Sequence, residues 1–154
     1  MLTPSTETKL RDVGLLILRI GFGGMFAYQH GWDKIVAGPQ EWTKLGGAMT
    51  LLGVSFYPVF WGFMSAFAEF VGGICIATGL FFRLMCAMLT FNMVVAATYH
   101  YYTPAIRDKI ALPIQFGIIA FCLLLTGPGN IALGKLLFGG GKSSAGRKKP
   151  QGPG

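Results

Sequence analysis

An arginine stands inside a stretch that otherwise reads as a membrane-crossing helix. It is Arg19, in the run from Val13 to Lys34, VGLLILRIGFGGMFAYQHGWDK. A charged side chain in the hydrocarbon region costs about 2.5–3.5 kcal/mol on insertion scales, so it must face a partner, the interior of a bundle or a wet cavity. On a helix of 3.6 residues per turn, Arg19, Gly23, Phe26, His30 and Asp33 share one face, which carries nearly all the polar chemistry of the segment. Such a helix cannot stand alone in lipid, and the rest of the chain must supply its neighbours.

The composition agrees. The chain of 154 residues is 53% hydrophobic and only 12% charged, with a mean hydropathy of +0.55, whereas about a quarter of the residues of a soluble domain are charged. This is the composition of a polytopic membrane protein, with length for one compact unit. The net charge of +7 does not point to nucleic acid, because Lys135, Lys142, Arg147, Lys148 and Lys149 all fall in the last twenty positions. Their placement reads as topology and tail. A cleaved signal peptide is excluded by Arg19, which interrupts the apolar core, and by the lack of a small-x-small site before Tyr28.

Residues 1–12 are polar and mixed in charge. Residues 13–138 hold four apolar stretches: Val13 to Lys34, Phe56 to Phe82, Leu84 to Tyr99 and Ile110 to about Leu125. About 20 apolar residues cross a core about 30 Å thick. Gly31 to Ser55 is too polar for that, and its Trp42 to Leu52 portion is expected to form an interfacial helix or a re-entrant segment over one mouth. Gly127-Pro128-Gly129 ends the last span, and Asn130 to Phe138 is a short apolar piece. Residues 139–154, GGGKSSAGRKKPQGPG, form a basic low-complexity tail expected to be disordered. The expected fold is therefore all-α, an integral membrane four-helix bundle with a short interfacial or re-entrant segment between helices 1 and 2.

Four spans put both termini on one side. With that side cytoplasmic, it collects eight basic residues, Lys9, Arg11, Arg83, Lys135, Lys142, Arg147, Lys148 and Lys149, against Lys34, Lys44, Arg107 and Lys109 outside, which satisfies the positive-inside rule. At 1.5 Å per residue, Arg19 lies roughly 9 Å in from the cytoplasmic edge, Glu69 roughly 20 Å and His30 roughly 25 Å. Arg19 would have to reach outward to meet Glu69, and His30 inward.

Glu69 sits in a stripe of small residues that includes Gly62, Gly72 and Gly73, which with Gly23 are expected to let helices approach closely. Asn92 is the polar residue of the third span, and Lys34 closes the first. Two readings of the Arg19 and Glu69 pair stand: a structural ion pair fixing helix register, or a site for an anionic or quinone-like molecule. His30 and His100, at the outer ends of their spans, would be the only imidazoles to hold a metal or haem, and they lack a third ligand. Cys75, Cys86 and Cys122 form no CxxC and read as small packing residues.

The order of these pieces resembles the DoxX family of small four-helix bacterial membrane proteins. The resemblance rests on Arg19, His30, Gly31 and Lys34 in LILRIGFGGMFAYQHGWDK, on Glu69, Gly72, Gly73, Gly79 and Arg83 in AEFVGGICIATGLFFR, and on GPGNIAL, where Asn130 stands at a commonly basic position. It implies a multi-pass protein of the bacterial cytoplasmic (inner) membrane. For function it implies an accessory or structural subunit of a larger respiratory or redox complex, with lipid and other membrane subunits as partners and no nucleic acid. The alternative is a redox component working with a quinone, of the thiosulfate:quinone oxidoreductase type. Neither assigns a catalytic residue or a resident cofactor.

Overall fold

In the computed structural model, which describes residues 3–138, every regular element is helical. The expected basic tail, 139–154, lies outside the described residues. Helix α1 spans Pro4–Phe26 and so begins well before the apolar run. Thr3 caps it, with Oγ1 accepting from the Thr6 N–H at 3.4 Å, Pro4 fits the first turn, and Glu7 suits the positive end of the helix dipole. The polar stretch expected to precede the first span is thus the start of the same helix.

Five residues of wider, π-helical turn, Ala27–Gly31, follow without a break and lead into α2, Trp32–Val36. The wider turn changes which residues point inward. Arg19, Gly23 and Phe26 are buried as an even α-helical face requires, but beyond them Ala27 and Gly31 are buried, Lys34 is half-buried and Asp33 is exposed. One extra residue in the turn rotates the remaining helix and exchanges the expected Asp33 for Lys34.

Gly38, in a left-handed conformation at φ 81°, and Pro39 then start α3, Pro39–Gly47, which runs into a 3₁₀ turn over Ala48–Leu52. Helix α4, Pro58–Thr78, lies antiparallel to α3 and against α1. Its end is a Schellman turn: the Gly79 N–H reaches Ile76 O, the Leu80 N–H reaches Cys75 O at 3.0 Å, and Gly79 takes φ 80°. The chain reverses within Gly79–Phe81 into α5, Phe82–Tyr102. A 3₁₀ stretch, Pro104–Lys109, leads to α6, Ala111–Thr126, and Leu133–Phe138 forms α7.

Helices α4 and α5 are long and apolar enough to cross a membrane, and α6 is a shorter apolar helix. The core is shared among Phe26 of α1, Ile76 of α4, Met85 and Leu89 of α5, and Ala120 and Leu123 of α6. Outward, Ile17, Phe91, Val94, Ile118, Phe121 and Leu125 are exposed, an apolar girdle that a soluble domain does not carry and hydrocarbon satisfies. Of the cysteines expected to pack inside, Cys86 is buried and Cys75 half-buried, but Cys122 faces outward on α6.

Candidate functional site

Glu69, on α4, is 2% exposed. Its partner is not Arg19, the other charge set inside an apolar span. Lys34 Nζ donates to both carboxylate oxygens, at 2.7 and 2.6 Å, and Asn92 Nδ2 on α5 donates to Oε1 at 2.8 Å. Arg19 instead gives an Nη2 hydrogen bond to the carbonyl of Ile131. The expected Arg19–Glu69 pair is therefore replaced by two separate sites. Arg19 lies beside Gly79 of the α4–α5 turn, where the segment after α6 offers it a carbonyl in place of the mid-helix acid.

Lys34 reaches Glu69 because three backbone approaches bring α2 and α3 down onto α4. At Gly31 a methyl group would collide with the backbone of Phe70, at Gly46 with that of Pro58, and at Gly62 with that of Trp42. Trp42 completes the clamp by donating Nε1–H to the Lys34 carbonyl at 2.8 Å. Gly23 and Gly73 form a second close crossing between α1 and α4, where a Cβ on Gly73 would lie 2.7 Å from the Gly23 carbonyl. Gly72 is different, since a Cβ there meets nothing nearer than Met85 Sδ at 3.8 Å. Gly31, Gly46 and Trp42 were not anticipated as site-forming. Gly46 and Gly62 face Pro58 and Trp42 across the antiparallel α3–α4 pair, and Gly31 faces Phe70, a long-range pairing that no short window of sequence displays.

The Lys34–Glu69–Asn92 cluster opens into a cavity of about 350 Å³ that is also lined by Glu41, Lys44, Tyr99 and His100. A second cavity of about 300 Å³ adjoins it through Leu45, Ser65, Asn92 and Val95 and is walled by Phe60, Trp61, Met64, Met88 and Phe91. A polar chamber thus continues into an apolar, aromatic one. Two buried nitrogens of residues that line this path, His100 Nδ1 beside the polar chamber and Trp61 Nε1 beside the apolar one, have no hydrogen-bond partner among the described residues.

His30 does not join this site. Its ring packs 5.0 Å from Phe26 and 5.5 Å from Phe116, in a small cavity beside Gln29, so the wider turn that brings Lys34 inward leaves His30 toward α6. His30 and His100 line different cavities, so the structure does not bring the two imidazoles to one site. Among the described residues no group of three or more His, Cys, Asp or Glu side chains is placed to hold a metal.

The sequence profile of the DoxX family matches residues 14–102, more than half of the chain, from the first apolar run through the end of α5. The chain belongs to the DoxX family. The match takes in Arg19, Lys34, Glu69 and Asn92, so the whole polar cluster of this DoxX-family chain lies within the part its family shares. No curated protein and no solved structure matches the chain.

Proposed function

We propose that this DoxX-family chain is an accessory subunit of a larger redox assembly in the bacterial inner membrane, and that it contributes a site for the head group of a quinone-class molecule. In this reading α1, α4, α5 and α6 are four spans with both termini cytoplasmic, and α3 is the short interfacial segment over the outer mouth. The charge bias of eight basic residues against four supports that orientation.

The observation that carries the site is the pair of unpartnered buried nitrogens, His100 Nδ1 and Trp61 Nε1, beside the Lys34–Glu69–Asn92 cluster. Buried polar atoms in folded proteins are nearly always hydrogen-bonded, and an orphan pair along one cavity is an unfilled demand for a ligand with polar atoms. A quinone head offers carbonyl acceptors and a flat ring that suits the aromatic and methionine wall of the second chamber. Lys34 and Asn92 hold the Glu69 carboxylate in place, all three side chains line the cavity, and Lys34, 31% exposed, is the most accessible of them for a hydrogen bond to a bound head. Electrons come from a partner subunit.

The test is to isolate the tagged protein from its membrane in mild detergent, extract the lipids, and quantify quinone per chain. A quinone near one per chain, reduced strongly by Asn92→Leu or by Trp61→Phe, supports the site. A partner complex carrying this subunit with no quinone above the detergent background leaves a purely structural subunit, and the site reading fails.

A further inference from the structure

At the other end of the molecule, Arg19 is 1% exposed and is one of the largest fully buried side chains. Its only hydrogen bond to the described residues runs from Nη2 to the Ile131 carbonyl, and Nε and Nη1 have no partner. No acid reaches it. The ion pairs among the described residues are Lys34–Glu69 and Lys44–Glu41. Asp12, two turns earlier on α1, is taken by Asn130, whose N–H donates to Oδ1 at 3.0 Å and whose Nδ2 donates to Oδ2 at 2.8 Å. A buried guanidinium without a counter-charge is strongly unfavourable, and an arginine is always charged.

Arg19 lines a cavity of about 780 Å³ between α1, the end of α4 and the 130–136 segment, with its unpartnered nitrogens buried behind the wall. Thr78, Asn130 and Lys135 also line it, while Leu16 and Leu136 contribute to its apolar walls. Lys135 Nζ is held at the rim by Asn130 Oδ1 at 2.7 Å. Gly79 makes room: a methyl there would fall on Arg19 Nη1, so the residue that reverses the chain also seats the guanidinium. A deep cation with free N–H groups, a second cation at the rim and apolar walls between them match one chemistry, an anionic head on an apolar body.

We infer that this cavity binds a phosphate group, with Arg19 as its deep anchor and Lys135 at its mouth. In the four-span topology proposed above, on which this choice of source rests, the cavity lies at the cytoplasmic end of the apolar helices, where an anionic phospholipid presents that phosphate. Arginine is suited to it through its forked donors. This site is independent of the quinone-class cavity, which lies at the opposite end of α4.

The test uses the full chain, delipidated in a neutral detergent, titrated in separate arms with phosphatidylglycerol, phosphatidylcholine and inorganic phosphate while thermal unfolding and native mass spectra are recorded. Saturable stabilisation of about 5 °C by phosphatidylglycerol, with one retained lipid, weaker response to phosphatidylcholine, and loss of both in Arg19→Gln, is the expected result. Lys135→Gln, an exposed change that leaves the fold intact, should weaken the binding about fivefold. If inorganic phosphate stabilises as well as the lipid does, and in the same Arg19-dependent way, the phosphate site stands and its source is soluble. No stabilisation in any arm, or stabilisation unchanged in both Lys135→Gln and a folded Arg19→Gln, overturns the site.

Discussion

Lys34 and Glu69 lie on segments that meet only because glycine stands at each crossing, and their ion pair is asymmetric: the side chain of the acid is 3% exposed and that of the lysine 31%. Removing one partner is therefore not equivalent to removing the other. Glu69→Gln leaves a lysine that can swing toward water, and should lower stability by about 1–3 kcal/mol. Lys34→Gln strands a buried carboxylate with Asn92 alone, and should cost about 3–5 kcal/mol. The double variant should be more stable than Lys34→Gln by itself. Thermal unfolding in one detergent across the four proteins measures this, and additive losses would show that the pair is not coupled.

The glycines separate just as sharply. Gly62→Ala and Gly46→Ala would drive a methyl into backbone atoms of the opposite helix, so α3 should detach, with loss of the folded protein or early proteolysis between Gly38 and Gly53. Gly72→Ala and Gly47→Ala meet no such atoms, and the better helix former should leave stability unchanged or raise it by up to about 1 kcal/mol. Equal tolerance at all four positions would remove the close α3–α4 crossing from the account.

Asp12 sits at the polar end of α1, just before the apolar run, and the Asn130 side chain, then the Asn130 backbone N–H, hold its carboxyl below the usual carboxylate range. Because the folded pKa is depressed, its contribution is present at neutral pH, begins to fade as pH drops below the unfolded value near 3.9, and is gone once pH has fallen through the folded value. Asp12→Asn should show a flatter dependence of melting temperature between pH 5 and pH 2.5 than the parent, measured in the same detergent. Parallel curves would mean that the Asp12–Asn130 contact carries no linkage.

The proposed four-span topology is checked by placing single reporters after Lys9, within the α3 segment near Lys44, in the 104–109 turn and after the last residue. The first and last should report cytoplasm, the two middle ones the opposite side. Any reporter on the wrong side changes the number of spans.

The all-helical fold and the membrane setting are written in local sequence, because 3.6-residue periodicity and apolar length are properties of short windows. The pairing of charges is not. Arg19 and Glu69 are opposite charges set inside apolar spans, and local sequence offers Glu69 no counter-charge within its own span. The structure separates them because the wider turn at Ala27–Gly31 shifts the inward face by one residue and delivers Lys34, and because the segment after α6 returns to meet Arg19. Neither a one-residue change of helical phase nor a contact spanning 112 positions leaves a mark in any short window. Asn130 shows the same limit from the other side. It stands at a commonly basic position, and in the structure it accepts from Lys135 and donates to Asp12, tying α1 to the segment after α6.

The clamp that Trp42 places on Lys34 also bears on how such a chain enters a bilayer as it is made. Lys34 and the α3 segment leave the ribosome before α4 does, while Asn92 follows it. Glu69 therefore arrives at the membrane with its counter-charge already synthesised and close at hand, and only its neutral partner is still to come.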